Sequence, residues 1–524
     1  MNIFNSALRF FPTGHLLLIS ILCALMAIVV GCDSGGGPVG GAGGAGGTGG
    51  GGGGAGGTPG EQPDDPMVEG PITPLNGPFV AGTFGVRLVD VGYEQVEYFI
   101  SGTATSYTNI GELGSDGLWE VENADTAEYK TRILLYQPID ASAFSGTVLL
   151  EWLNVSGGLD AAPDWISMHT EIIREGHIWV GMSVQVVGIE GREGAIVAFH
   201  LKAIRPERYA PLLHPGDSFS YDMYAQAAQA IRNPVGIKPL GDLVLERLIA
   251  MGESQSAGRL TTYVNALGPR YDVFDGYVIH SRGSGSSSLS QDPQAQVPTP
   301  EIVHVREDLD EPVLMFQTET DVFNALPSNQ PDSDMFRLWE VPATAHADTY
   351  TLIVGDSDHG DDPSVAEVIE TTQGAPVPDI IECETPINSG PQHWVLKAGL
   401  HGLINWITTG EPLPEAERLL LTEDGEGFQL DEVGNVLGGI RTNYVEAPVA
   451  VLSGLGQSGG SFCRIFGTTA LFDDAQLAEL YPTHQDYLDA VNSSTQAAVD
   501  AGFLLPPDAA LIVTDAENSG IGGM

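Results

Sequence analysis

The sequence is poor in basic residues. It has 21 lysines and arginines against 69 aspartates and glutamates, which gives a formal net charge of −48 at pH 7 and a pI near 4.2. A surface of this sign repels nucleic acid and anionic lipid headgroups. We therefore exclude nucleic acid as a partner, and we expect most of the acidic side chains to form a solvated surface.

Cysteine is scarce as well, with four in 524 residues. No CxxC pair and no Cys/His spacing indicates zinc, and the sequence predicts neither a metal site nor a cofactor. Cys23 and Cys32 belong to the N-terminal segment, which leaves Cys383 and Cys463 for the folded part of the chain. In an oxidising compartment such a pair predicts a disulfide bond.

The N-terminal segment has no apolar run long enough for a comfortable membrane span. Arg9 precedes the run at residues 16–30, which ends in Val29-Val30-Gly31-Cys32. Small residues ahead of a cysteine resemble the lipobox of bacterial lipoproteins, in which the cysteine is lipidated and becomes the mature N-terminus. We predict a lipoprotein signal peptide at residues 1–31 with lipidation at Cys32. An ordinary secretory signal and a plain signal anchor are the alternatives.

A glycine-rich segment follows. Residues 35–57 are glycine apart from a few Ala, Thr, Val and Pro, and this composition behaves as a flexible coil because it cannot bury a core. We predict a tether at residues 32–70 that holds an exported domain off a membrane, on the periplasmic or cell-surface side of a bacterial envelope. The sequence leaves the leaflet and the oligomeric state open.

Beyond the tether, strand-like and helix-like segments alternate. Amphipathic segments at residues 165–175 and 256–267 predict helices between the strands. The alternation predicts an α/β fold with a mostly parallel eight-stranded sheet and helices on both faces, and the first two strands predict an antiparallel edge because no helix separates them. The eight candidate strands lie at residues 96–105, 129–136, 147–153, 178–184, 247–251, 271–280, 312–316 and 336–341.

The last third of the chain has a different pattern. Residues 393–408 predict a helix closed by Gly410. Beyond residue 415 we expect short strands, a Gly438-Gly439 turn and a helical stretch at residues 474–501. We predict a core at residues 71–411 and a C-terminal extension at residues 412–524. The extension packs on the core either as a cap over the site or as additional packing at the sheet edge.

The strongest chemical signal is Gly252-Glu253-Ser254-Gln255-Ser256, where a buried strand runs directly into a helix. It matches the pattern G-x-S-x-G of the nucleophile elbow in α/β-hydrolases, except that serine replaces the last glycine. Such a turn lifts the serine Oγ above the sheet and points the first N–H groups of the helix at the reaction centre. We predict that Ser254 is the nucleophile of an α/β-hydrolase fold.

A nucleophilic serine needs a base, and the base needs an acid that orients it. In this fold the acid and the histidine follow the serine in that order, each after a later strand. Asp321 and Glu319 both follow the seventh candidate strand, and we prefer Asp321 for its distance beyond the strand, with Glu319 as the alternative. We predict His346, which follows the last strand among small residues, as the base in preference to His359, His393 and His401.

An oxyanion hole requires two donors aimed at the developing negative charge. We expect one to be the backbone N–H of Gln255, directly after the nucleophile. The second usually comes from the loop after the third strand. That loop is polar and ends in Gly157-Gly158, and either Asn154 or Val155 is placed to donate.

These and further segments together resemble a bacterial family of alpha/beta hydrolase domain-containing proteins. The resemblance covers residues 71–516, so the last third belongs to the family domain. It implies a hydrolase fold and carboxylic-ester hydrolysis on a small-molecule or polymeric ester, but no particular substrate. The segments that carry it, besides residues 252–256, lie at residues 151–156, 185–188, 214–217, 344–348, 437–441 and 461–463.

The sequence therefore predicts a serine carboxylesterase that acts through an acyl-enzyme. Two alternatives stay open: hydrolysis of another bond (an amide, a lactone or a polymer ester), and a surface-binding lipoprotein with an inactive hydrolase scaffold. Trp152 and Trp165 are candidate pocket residues, although large aromatic side chains more often belong to a core.

Overall fold

The computed structural model describes residues 60–73, 77–83, 85–192, 199–371, 382–460 and 462–523. The predicted signal peptide, Cys32 and most of the predicted tether lie outside these residues, so the lipid anchor stays a prediction. Within the described ranges, no helix combines the length and the hydropathy that a membrane span requires.

One nine-stranded sheet organises the chain. Its strands, in chain order, are β1 (Met67–Glu69), β2 (Tyr93–Ile110), β3 (Glu120–Pro138), β4 (Thr147–Trp152), β5 (Ile178–Met182), β6 (Arg247–Glu253), β7 (Gly276–His280), β8 (Val313–Thr318) and β9 (Phe336–Val341). They lie in the order β1-β2-β3-β5-β4-β6-β7-β8-β9. Strands β4 to β9 are parallel to one another, whereas β1, β2 and β3 add an antiparallel edge.

The predicted α/β-hydrolase fold is confirmed. All eight predicted strands are present, and the first two pair in antiparallel fashion as expected. The ninth strand is β1, which has three residues and pairs with the outer side of β2. It lies in the last residues of the segment predicted as a tether, where a strand this short gives no periodic signal.

The parallel strands are buried on both faces because helices cover each side. In β6, Leu248 and Ala250 belong to one hydrophobic core, and the alternate residues Ile249 and Met251 belong to the other. Successive side chains of a strand point to opposite faces, so these are the two faces of the sheet. This is why residues 248–252 of β6 are all apolar or glycine.

Thirteen helices are labelled over the described residues. The helices at Ser220–Arg232 and Gln255–Ala266 pack on the first face, and those at Pro163–Arg174 and Gln392–Thr409 pack on the second. The bounds are α1 (Pro163–Arg174), α2 (Val186–Glu190), α3 (Leu201–Ile204), α4 (Pro206–Tyr209), α5 (Ser220–Arg232), α6 (Gln255–Ala266), α7 (Gly268–Tyr271), α8 (Glu319–Ala325), α9 (Gln392–Thr409), α10 (Asn443–Glu446), α11 (Asp474–Leu480), α12 (His484–Asp500) and α13 (Pro506–Asn518).

The C-terminal region has its own small core. Helices α10, α12 and α13 pack with the two-stranded sheet of β10 (Ala450–Ser453) and β11 (Thr468–Leu471). The helical stretch predicted at residues 474–501 is two helices, α11 and α12. Pro482 lies between them and cannot donate a backbone hydrogen bond, and Thr483 accepts one from the N–H of Asp486 at the start of α12.

A disulfide bond joins Cys383 to Cys463, as predicted. Both cysteines are buried, and they belong to a small core with Ala347, which directly follows His346. The backbone N–H of Ala347 donates to the carbonyl of Ile465 at 3.2 Å. The bond therefore attaches the C-terminal region next to the loop that follows β9.

We expect the double variant Cys383→Ala/Cys463→Ala to lower the free energy of unfolding. The two cysteines are 80 residues apart, and closing a loop of that length stabilises a fold by about 4 kcal/mol in the chain-entropy model. Thermal unfolding of the variant, beside the wild type with and without reductant, measures the effect. Two free thiols in the non-reduced protein would contradict the assignment.

Candidate active site

Ser254 lies in a sharp turn between a strand and a helix. Strand β6 ends at Glu253 and α6 begins at Gln255, and Ser254 between them has φ 57° and ψ −116°. A positive φ at a non-glycine residue costs about 1–3 kcal/mol and persists only where the surroundings enforce it. Here the N–H of Ser254 donates to the carbonyl of His280 on β7 at 2.8 Å.

The small residues around Ser254 are a steric requirement of this turn. A Cβ atom added to Gly252 would lie 3.1 Å from the backbone carbonyl carbon and oxygen of Ser256. Ser256 is itself fully buried. Its small side chain fits where the usual pattern has glycine, which explains why the departure at this position is tolerated.

His346 and Asp321 reach Ser254 from the segments that follow two neighbouring strands. His346 Nε2 lies 2.9 Å from Ser254 Oγ, and His346 Nδ1 lies 2.6 Å from Asp321 Oδ1. Asp321 belongs to the first turn of α8, after β8, and His346 belongs to the loop after β9. All three side chains are buried. The structure thus brings the three predicted residues into one hydrogen-bonded chain.

Glu319, the alternative acid, points elsewhere. Its carboxylate accepts hydrogen bonds from the backbone N–H groups of Ala343 and Gly454 and from the hydroxyl of Ser453. Burial raises the pKa of Glu319 to about 7, although these hydrogen bonds oppose the shift. Glu319 therefore holds the loop after β9 to the C-terminal region, and it does not contact His346.

The two candidates for the second oxyanion donor differ in what their N–H groups do. The backbone N–H of Asn154 donates to the carbonyl of Ala161 at 2.9 Å. Its side-chain amide donates to Glu253. Among the residues that the structure describes, no acceptor is recorded for the backbone N–H of Val155. Gln255 is the first residue of α6, so its N–H has no partner within the helix. Of the two candidates, Asn154 therefore has its backbone N–H engaged within its own loop, and Val155 does not.

The other histidines considered from the sequence lie apart from Ser254. His359 is exposed. His401 Nδ1 bonds to Glu171 at the surface. His393 is buried and stacks on Tyr350. Trp152 and Trp165, considered as pocket residues, belong to the two cores on opposite faces of the sheet.

The structure adds a residue that the sequence analysis did not single out. Glu253, next to the serine, is buried, and its Oε1 lies 3.1 Å from Nε2 of His346. Burial raises the pKa of Glu253 to about 7 although His346 and His280 oppose the shift. A sequence signal existed, because the alternation along β6 places Glu253 on the same face as Met251, above a core.

The electrostatics of His346 are dominated by two carboxylates. Burial by itself lowers the pKa of this imidazole, but Asp321 and Glu253 outweigh burial and raise the pKa to about 9. Burial also works to raise the pKa of Asp321, yet His346 lowers it below its ordinary value. The protonated form of His346 is therefore strongly stabilised in this site.

A second buried histidine lies beside the first. His280 Nδ1 is 2.9 Å from Asp164 Oδ1, and His280 Nε2 is 2.9 Å from the side-chain amide of Gln392. Asp164 is at the start of α1, where Glu151 accepts hydrogen bonds from its N–H and from that of Trp165. This arrangement fixes α1 against the carboxyl ends of β4 and β7.

A narrow cavity of about 20 Å³ opens beside His346. That is room for one or two water molecules. Polar side chains of Glu253, His280 and Gln392 line it together with apolar ones of Ile166, Ala347 and Leu352. Within the described part of the chain, no residue beyond position 392 lines this cavity.

One group of side chains in the described ranges has the spacing of metal ligands. Glu171, Glu175 and His401 offer ligand atoms within 4.8 Å of one another. Glu171 is already bonded to Arg174 and to His401, and the guanidinium disfavours a cation there. The cluster is an ion-pair network between α1 and α9, and it is not part of the site at Ser254.

The model of a protein family described as "Alpha/beta hydrolase domain" matches residues 68–514. This match covers well over half of the chain. The chain belongs to the alpha/beta hydrolase domain family. Because the match extends to residue 514, helices α11 and α12 and most of α13 lie within the family domain, as the resemblance implied. No curated protein matches this chain.

Several solved structures are similar to this family member at low identity. A glucuronoyl esterase from Solibacter usitatus has 12% identity over 54% of this chain and 83% of its own, with a TM-score of 0.27. Acetyl xylan esterase 1 from Thermoanaerobacterium has 12% identity over 46% and 82%, with a TM-score of 0.25. An α/β serine hydrolase without a lid from Xanthomonas campestris has 12% identity over 46% and 86%, with a TM-score of 0.24. TM-scores this low carry no argument about substrate.

The choice between Asp321 and Glu319 can be tested with a serine-reactive fluorophosphonate. We expect Asp321→Asn to slow labelling of Ser254 by about ten-thousand-fold, because the imidazole loses the carboxylate that fixes its tautomer. Glu319→Gln is the matched comparison, and we expect it to lower the melting temperature while labelling falls less than tenfold. The reverse order of the two variants would make Glu319 the acid.

Proposed function

We propose that this protein is a serine hydrolase that cleaves carboxylic esters through an acyl-enzyme. The observation that supports the proposal most directly is the hydrogen-bonded chain from Asp321 through His346 to Ser254 Oγ. The strained turn at Ser254, with the free helix N-terminus beside it, is the second support. Strain of this kind costs about 1–3 kcal/mol and is found mostly at functional sites.

In the first step Ser254 Oγ attacks the carbonyl carbon of the ester. Its proton moves to Nε2 of His346 as the C–O bond to the serine forms. Asp321 accepts the hydrogen bond from Nδ1–H, and its charge stabilises the imidazolium. The backbone N–H groups of Gln255 and Val155 donate to the oxyanion of the tetrahedral intermediate. The intermediate collapses when the alcohol leaves with the proton from His346.

In the second step water hydrolyses the acyl-enzyme. His346 takes a proton from the water, whose oxygen attacks the acyl carbon, and the imidazolium returns that proton to Ser254 Oγ as the acid departs. The narrow cavity beside His346 is the place we propose for the acyl group. Its apolar wall of Ile166, Ala347 and Leu352 suits a short alkyl chain.

The ester assignment rests on chemistry that amides and lactones share up to the leaving group. We favour esters, cyclic or open, over amides because an alkoxide leaves with less help from a general acid than an amine does, and His346 is the only acid we place at the leaving group. A surface-binding protein with an inactive scaffold is the alternative from another class. The hydrogen-bonded chain of Asp321, His346 and Ser254 supports the hydrolase over this alternative.

We expect turnover of p-nitrophenyl esters that is lost in Ser254→Ala and in His346→Ala. Loss of the nucleophile or the base typically costs about 10⁶-fold in kcat. Ser494→Ala and His484→Ala, both on α12, are matched controls that should keep wild-type rates. Turnover that survives Ser254→Ala would show that Ser254 is not the nucleophile. A folded protein that neither hydrolyses esters nor reacts with fluorophosphonate would support the binding alternative.

The rate of hydrolysis should depend strongly on the length of the acyl chain. We expect kcat/KM to fall from acetate to butyrate to octanoate, because the cavity is small and each methylene it cannot hold costs about 1–3 kcal/mol. Leu352→Ala should raise the rate on butyrate relative to acetate by about tenfold. Leu480→Ala, on the surface of α11, is the control. A preference of the wild type for octanoate would place the acyl group outside this cavity.

A further inference from the structure

The residue before the nucleophile contacts the base at the atom that the nucleophile also uses. Glu253 Oε1 lies 3.1 Å from Nε2 of His346, and Ser254 Oγ lies 2.9 Å from the same nitrogen. An imidazole nitrogen has one proton or one lone pair to share. The serine hydroxyl and the carboxyl group of Glu253 therefore compete for Nε2.

A hydrogen bond to the second carboxylate oxygen of Glu253 holds this side chain in position. Its Oε2 accepts a hydrogen bond from the side-chain amide of Asn154 at 3.1 Å. The second carboxylate oxygen is thereby held away from His346 while Oε1 stays towards it. Glu253 is 2% exposed, so water does not screen the contact.

The other charged groups around this pair are accounted for. Asp321 faces the Nδ1 side of His346. The pair of Asp164 and His280 lies near Glu253, and His280 acts on its charge. Glu319 is turned towards Gly454. Among the described residues, Asp321 and Glu253 are the carboxylates within hydrogen-bond distance of His346.

We propose that Glu253 is a positioning residue that shares one proton with His346 and thereby sets the pH above which Ser254 becomes nucleophilic. The inference rests on the proposed function of the same site, and it adds regulation by proton activity. No group is consumed, since one proton moves between the carboxylate, the imidazole and solvent.

Three protonation states of the pair explain the effect. With one shared proton, either Glu253 donates its O–H to Nε2 or protonated Nε2 donates to the carboxylate, and in both cases Nε2 cannot accept the proton of Ser254. When the shared proton is lost, Nε2 has a free lone pair and accepts from the serine hydroxyl. Once Ser254 attacks, the carboxylate stabilises the imidazolium that forms.

The direction of the titration agrees with this geometry. Glu253 helps to raise the pKa of His346 to about 9, and only the neutral imidazole acts as a base. Activity should therefore rise with pH through the alkaline range in the wild type. Removing the charge of Glu253 lowers the pKa of His346, so the rising limb of the pH–rate profile moves to lower pH.

The test is the pH dependence of kcat/KM for p-nitrophenyl acetate in wild type and Glu253→Gln. We expect the midpoint of the rising limb to fall by about one to three pH units in the variant, the range that a neighbouring opposite charge produces. We also expect a lower plateau in kcat with little change in KM. Glu340→Gln, an equally buried glutamate on β9 that contacts Leu419 and Asn329, should leave the midpoint unchanged.

A conservative variant and a second measurement keep the outcome decisive. Glu253→Asp retains the charge at a greater distance, so its midpoint should lie between those of wild type and Glu253→Gln. NMR titration of ¹³C-labelled histidine, with His346 assigned from the spectrum of His346→Gln, reports the same pKa change without turnover. Absence of ester hydrolysis would overturn the proposed function alone, whereas a pKa of His346 that is the same in all Glu253 variants would overturn this inference.

Discussion

The turn at Ser254 is the constraint on which the rest of the site depends. A serine with positive φ is unfavourable, and it is held because its neighbours Gly252 and Ser256 pack backbone against backbone. Its N–H also bonds to β7. Holding the backbone in this shape places Oγ, the N–H of Gln255 and the carboxylate of Glu253 around one point. The same turn therefore holds the predicted nucleophile, a predicted oxyanion donor and the carboxylate that contacts His346.

The opposite wall of the site depends on the C-terminal region. Glu319 bonds to the N–H of Gly454, and Thr320 donates its hydroxyl to the carbonyl of the same residue. A Cβ atom on Gly454 would lie 2.4 Å from the carbonyl oxygen of Thr344, so only glycine allows this approach. The first turn of α8, which carries Asp321, and the loop that carries His346 are thus fixed by a segment more than a hundred residues away. This explains why the family domain includes the last third of the chain.

Buried acids are the notable electrostatic feature of a chain whose other acidic residues are largely solvated. Glu151, Asp164, Glu253 and Asp321 are all buried near the carboxyl ends of the parallel strands. Each has partners that offset its desolvation: backbone N–H groups at the start of α1, a histidine, or the amide of Asn154. Among the described residues, no lysine or arginine pairs with these four, and the charges of Asp321 and Glu253 raise the pKa of His346.

The sequence by itself determined the fold and predicted Ser254, Asp321 and His346 as site residues, because hydrophobic periodicity and the small residues of the elbow are local signals. It also predicted the pair Cys383 and Cys463. Only the tertiary structure decided what depends on long-range contacts. Asp321 contacts His346, whereas Glu319 faces the C-terminal region. The N–H of Asn154 is bonded across its loop, and Glu253 contacts His346. Local sequence does not record the partner that a buried polar group finds across the sheet, since that partner is chosen by packing.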